Sequence, residues 1–570
     1  MGRFLFVLLL LGLYWLYGWR PFLVHGELVI DDFLYVRHAH GILDWLQGRS
    51  PQWLGPYDCF CLAKAPFYGM WLAFLNILGI PLRVGDFLLL LTCPFLFARA
   101  VRPMTKLVGW RFVAVVVVLV ANPLLPGDFR PHREGVQVSL TNLCLISAVG
   151  MVLRWEKPLW QRLRWALMAG FFLGLCYLNR EEAIWLVAAL SVAAGIMVLT
   201  SLVLWRQGHR PLLSLLGSQG IVLCVLGLAF LQPVLTVCAL NKKHYGAFMT
   251  TFRRSSALTQ LIQRLTSLEP EGHQPYVPIA RATRMKAYEL SPTFAQLKPS
   301  LEEEGGFWSA NNRAHSVAIG RSPTDRDLVD SIVEFSFAHA ADQAGAKSPK
   351  QMEDMFLAID RELGDAVRAG KIQAGAHGPS ILTAPRPGDR RRILAEWWTS
   401  FSTLLRVVHV PYYWPDTVIA SQAQLDDLQR LTSSSVVLYP KPNLQFTMRA
   451  WAVDGINAAQ RIAYPVLFLT WFGLLAMRRN EVFTLAPSPR GFLLWSVAIP
   501  LSGLATFCLG MAVLQVLSFR FLYFGSYNHM GFGPLSVLCA LVIAGSTIGS
   551  SPGGQASCGP RCAGFTIQSS

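Results

Sequence analysis

Asp31 and Asp32 stand side by side just after an apolar stretch of the chain. Carboxylates at a membrane edge are costly to desolvate, so they tend to be kept for a task. The task such a pair suits is general base chemistry, taking the proton of an attacking hydroxyl or amine. Further charged residues recur at the ends of other apolar stretches. They are Lys64, Arg133-Glu134, Asn179-Arg180-Glu181-Glu182, Lys242-Lys243-His244-Tyr245, and Arg520 followed by Tyr527. Arg and Lys can stabilise the charge that builds on a leaving phosphate. Together these groups suit transfer from a phosphorylated lipid to an acceptor at the membrane surface. Each also has a plainer use. Asp31-Asp32 can cap a helix, Glu181 and Glu182 can complement a helix dipole, Arg133-Glu134 can be a local ion pair, and Lys242-Lys243-His244 can anchor at head groups. A divalent cation bridging Asp31 and Asp32 is a further use, but no matching ligand set accompanies the pair.

The elements that must position these residues are helices in a bilayer. The chain has 570 residues, 53% hydrophobic and 15% charged. Soluble proteins average about 25% charged. Apolar runs recur at a length fit for crossing a membrane, which predicts an all-α, multi-pass membrane protein. The formal charge of +16 is read as basic cytoplasmic loops rather than as a nucleic-acid surface. No phosphate-binding G-x-x-x-x-G-K-[ST] occurs, so no ATP drive is expected. Cysteines in the apolar runs read as packing residues. Cys558 and Cys562 lack the second pair that a zinc site needs.

Basic clusters set the register of the spans. Residues 4–19 form an uncleaved first span with Arg3 inside, and residues 20–83 form an outer loop. Residues 65–80 are short and bounded by Pro66 and Pro81. Reading them as an interfacial helix puts Arg99, Arg102, Lys106 and Arg111 inside. Spans then follow near 84–100, 111–125, 136–153, 165–178, 183–205, 216–240, 462–477, 491–515 and 529–549. This gives about ten spans (nine to twelve) with both termini cytoplasmic. It divides the chain into a membrane module over 1–241, a mainly helical extracytoplasmic domain over 242–461, closing spans over 462–549 and a disordered tail over 550–570. Helical periodicity marks 324–341, 349–370 and 390–407 within the inserted domain.

Trp53-Leu54-Gly55-Pro56-Tyr57-Asp58 and Leu62-Ala63-Lys64-Ala65-Pro66-Phe67-Tyr68, behind Asp31-Asp32, resemble the first outer loop of GT-C glycosyltransferases. The likeness is to bacterial family-39-like members, relatives of protein O-mannosyltransferases and the lipid A aminoarabinose transferase. It covers about residues 1–250 and, loosely, the last three spans. The resemblance implies a bacterial inner-membrane enzyme acting on the extracytoplasmic face. It implies a polyprenyl-phosphate-linked sugar as donor, membrane lipid around the donor, and a glycan, lipid or protein acceptor. By the same likeness Asp31 is the base and Asp32 orients it. Lys64, Arg180, Lys242, Lys243 and Arg520 would meet the donor phosphate, supported by Arg133, Glu134, Glu181, Glu182, His244, Tyr245 and Tyr527. The inserted domain and the Asp-Asp pair, where Asp-Glu is commoner, depart from the family pattern. A transporter or flippase of a lipid-linked anion would instead show charges within its spans and an internal repeat. Few such charges and no repeat are seen. A non-catalytic envelope scaffold is the remaining alternative.

Overall fold

The computed structural model describes residues 2–17, 22–23, 30–121, 133–206, 208, 211–268, 277–303, 327–328, 332–374, 388–405, 422–434, 436–437, 444–477, 495–517 and 531–546. Helices dominate these residues. The first half contains α1 (Gly2–Tyr17), α2 (Ile30–Leu46), α3 (Phe67–Ile77), α4 (Leu82–Val101), α5 (Trp110–Val120), α6 (Glu134–Val152), α7 (Leu159–Asn179), α8 (Leu186–Arg206) and α9 (Leu212–Tyr245). A short 3-10 turn, Glu181–Trp185, joins α7 to α8. Next come α10 (Ser256–Ser267), α11 (Arg281–Leu290), α12 (Pro292–Ala295), α13 (Lys298–Leu301), α14 (Ile332–Gln343) and α15 (Pro349–Arg368). The chain closes with α16 (Asp389–Leu405), α17 (Gln422–Thr432), α18 (Leu444–Met477), α19 (Ala498–Leu517) and α20 (Phe532–Ser546). The one sheet among the described residues is a parallel pairing of β1 (Phe22–Leu23) with β2 (Val436–Val437).

Among the described residues, five helices are long and apolar enough to cross a membrane. They are Leu82–Val101, Glu134–Val152, Ala183–Arg206, Leu216–Tyr245 and Ala498–Val516. All five were expected as spans. A helix is the natural form for such sequences, because it satisfies every backbone polar group internally where no water can. The other expected spans read differently. Phe6–Leu16, Trp110–Val120 and Phe532–Ser546 are apolar but shorter. α7 has the length but carries Arg162 and Arg164 in its first turns. Residues 462–477 form the end of the 34-residue α18, so the expected boundary at 461/462 falls inside a continuous helix. α3 has 11 residues. That is about 16 Å, half of a bilayer core, where an interfacial helix was expected over 65–80.

Two cores hold the described residues. The larger joins the apolar helices around α6, whose side chains are buried along nearly its whole length. The smaller joins α10, α11, α14 and α15 with Leu34, Cys59 and Ala63 from the first loop. The stretch read from sequence as one inserted domain therefore divides. Its first part, to about Ile372, has its own core, while Phe401, Leu404, Leu428 and Val453 of α16–α18 join the bundle. The helix of α16 was expected from its period, but its place in the bundle was not, because its first turn is Asp389-Arg390-Arg391-Arg392 and only a stripe through Phe401 and Leu404 is apolar.

α7 and α9 approach most closely where α7 offers Gly170 and Gly174, a small-xxx-small face. A methyl at Gly170 would overlap the Leu226 carbonyl oxygen, and one at Gly174 would stand 2.7 Å from that of Phe230. Gly170→Leu is expected to lower stability by about 1–3 kcal/mol through overpacking. Gly217→Ala, on an open face of α9, should change it little. Thermal unfolding of the two variants in one detergent checks the difference.

Candidate functional site

α6 begins with Glu134, an acid at a helix N-terminus where the dipole favours it. Arg180 follows the last residue of α7 and turns the chain into the 3-10 segment with an extended backbone. Its guanidinium pairs with the Glu134 carboxylate. The side chains are 1% and 7% exposed, which makes this a buried ion pair. Beside it, Arg133 donates to the Asn179 carbonyl at 3.2 Å. Asn179 returns hydrogen bonds to the Arg133 carbonyl at 3.1 Å and to Gln137 at 2.8 Å. The start of α6 and the end of α7 are thereby locked together through five polar residues.

The layer continues outward. Glu181 accepts from Thr251 at 2.8 Å and lies 3.9 Å from Arg253. Arg253 pairs with Glu334 on α14. Lys64 and Arg253 both stand over the Phe335 ring, at 5.4 and 5.7 Å from its centroid. Burial holds the Glu334 carboxyl above its ordinary range, against the pull of Arg253. On the other side Arg133 stands over the Tyr35 ring of α2 at 5.6 Å. Tyr35 in turn meets Tyr68 of α3 edge to face at 5.1 Å. Lys64, Arg133, Arg180 and Arg253 thus share one layer with Glu134, Glu181 and Glu334.

Asp31 and Asp32 lie in the first turn of α2, and position 31 is one helical turn from Tyr35. The side chains of Asp31, Asp32 and Glu182, and all of Arg520 and Tyr527, lie outside the described residues. Among the described residues no group of three or more His, Cys, Asp or Glu could hold a metal ion.

The end of α9 holds the first loop. Lys242 and Lys243 are exposed. His244 bonds the Pro51 carbonyl at 2.9 Å and packs its ring against Trp45. The Tyr245 hydroxyl donates to the Gly55 carbonyl at 2.8 Å and accepts from the Leu54 amide at 3.0 Å. Trp53 adds a bond to Asn241 at 2.9 Å. These contacts position the first loop against α9. His244 and Tyr245 act on the loop's backbone.

Thr251, Arg253, Glu334 and Phe335 were not picked out from sequence. The available signal was Glu334 itself, a carboxylate among Ile332, Val333, Phe335 and Phe337 in the first turns of an apolar helix.

His38 ties α2 to the loop. It is fully buried and its Nε2 meets the Cys61 carbonyl at 2.8 Å. Burial lowers its pKa from 6.5 to about 4, so the neutral ring donates. The folded-state pKa lies below the unfolded one. His38 therefore contributes full stability above pH ~6.5 and loses it as pH falls toward 4, about 3 kcal/mol in all. His38→Gln keeps a donor without the titration and should flatten that part of the stability-versus-pH curve. Denaturant unfolding between pH 7.5 and 4.5 would check this; an unchanged slope in the variant would refute it.

No family model, curated protein or solved structure matches the chain. What stands on its own, among the described residues, is a mainly helical chain with five helices long and apolar enough to cross a membrane and a buried charged layer at the start of α6 and the end of α7.

Proposed function

We propose that this chain is a membrane glycosyltransferase of the GT-C type. It moves a sugar from a polyprenyl-phosphate-linked donor to a cell-envelope acceptor on the extracytoplasmic face, within a topology of about ten spans. The observation that carries this reading is convergence. Side chains from the first loop, the starts of α6 and the 3-10 turn, and the inserted helices share one buried layer beside the turn that bears Asp31.

In the proposed step the acceptor hydroxyl or amine attacks the anomeric carbon. Its proton passes to the Asp31 carboxylate, and Asp32 orients that carboxylate. The bond from the anomeric carbon to the phosphate oxygen breaks with inversion, and the polyprenyl phosphate leaves with the electron pair. Lys64 and Arg253 oppose the growing phosphate charge. Arg180, held by Glu134, adds positive field from behind. No nucleotide or ATP is needed, because the lipid phosphate is the leaving group.

The test is reconstitution in liposomes with polyprenyl-phosphate sugars and cell-envelope acceptors. Glycosylated acceptor and free polyprenyl phosphate should appear in equal amounts. Absence of both with every donor would reject the reading.

A further inference from the structure

α16 runs beside α19 in the same direction. The Trp397 indole N–H donates to the Ala505 carbonyl at 3.0 Å, and Ser400 lies by the Cys508 thiol. Phe401 turns to Phe468 of α18 at 5.7 Å. One flank of α16 is thus covered by helices of the bundle, and one of these, α19, is of membrane-crossing length. The adjoining flank is open, and Trp398 borders Phe401 at 6.0 Å along its edge. Leu394 is 63% and Trp398 61% exposed, and the two share a face at i, i+4 spacing. Arg390, Arg391 and Arg392 are exposed at the start of the helix, with Arg392 also 3.5 Å from Asp389.

We infer that this open flank of α16 is a lipid-facing surface that prefers anionic headgroups. Three observations point to a bilayer as the occupant. A helix lying along a membrane-length apolar helix shares its surroundings, so acyl chains that flank α19 also flank α16. Leu394 and Trp398 supply the apolar and aromatic side chains that insert at the acyl boundary. The arginine run at one end supplies the charge that a basic amphipathic helix uses on anionic lipid. The inference is independent of the transferase reading, and neither fails with the other.

The test replaces Trp398 by the photoreactive residue p-benzoyl-phenylalanine. The full chain is placed in phosphatidylcholine vesicles with and without phosphatidylglycerol, irradiated, and its peptides weighed. Lipid adducts on the peptide carrying position 398 are expected, with phosphatidylglycerol over-represented relative to its share. Arg390→Gln with Arg391→Gln should keep the adducts and cut the anionic excess by about fivefold per arginine removed. A cross-link to another part of this chain or to a second copy would overturn the inference. So would a lack of lipid adduct, or an anionic excess untouched by the arginine changes.

Discussion

Arg180→Gln lowers the stability of the folded chain by about 3–5 kcal/mol. The reason lies in what remains. Glu134 is 7% exposed and faces Arg180 directly, so the variant leaves a buried carboxylate without its guanidinium. Removing one member of a buried pair costs far more than the pair contributes, because the survivor's desolvation is no longer offset. The paired variant Glu134→Gln with Arg180→Gln should recover most of that loss. Two amides of similar size can share hydrogen bonds without a buried net charge. Thermal or denaturant unfolding in detergent, run as a double-mutant cycle, measures both. A strong positive coupling is expected; additive losses would mean that the pair does not interact in the folded chain. Activity separates the roles further. The double variant should be near wild type in stability and still poor in turnover, since the positive field behind the phosphate is gone.

Asp31→Asn should reduce sugar transfer by about 10²–10⁴-fold, the usual contribution of a general base. The substitution is chosen because Asn serves about as well as Asp at helix starts. Position 31 lies in the first turn of α2, so a purely capping or structural role predicts a variant that behaves as wild type. What Asn removes is the charge, worth about 0.3–1 kcal/mol against the helix dipole, and the ability to accept a proton. A large loss of turnover with a small change in melting would separate chemistry from folding. Asp32→Asn should cost less, because orientation is a weaker demand than proton transfer.

Some of this organisation was legible in the sequence for a plain physical reason. Runs such as 82–101 and 498–516 are apolar over most of their length, and a helix long enough to cross a bilayer satisfies their backbone groups internally. Two helices of 11 residues, α3 and Trp110–Val120, were read from the basic clusters as an interfacial helix and a span, a difference that length alone does not carry. The amphipathic periods of 349–370 and 390–407 reappear as α15 and α16. What periodicity cannot carry is partnership. α16 reads as the surface helix of a soluble domain, yet its Trp397 bonds the backbone of α19, 108 positions away in the chain. The site divides in the same way. Arg133-Glu134 and Arg180-Glu181 were visible as charges at apolar ends. That Arg180 would choose Glu134, and Glu181 would turn instead to Thr251 and Arg253, depends on the packing of α6 against α7 and of the inserted helices above. Lys242 and Lys243 looked equivalent to Lys64 from sequence, but they fall on the exposed end of α9, while Lys64 is buried against Phe335.

The most direct measurement is the transfer rate of purified wild type and Asp31→Asn in the same liposomes, with one polyprenyl-phosphate sugar and one envelope acceptor. The account predicts measurable wild-type transfer without nucleotide, and a fall of at least about 100-fold in the variant with only a small change in melting temperature. Equal rates in the two proteins, or no transfer by wild type with any donor, would contradict it.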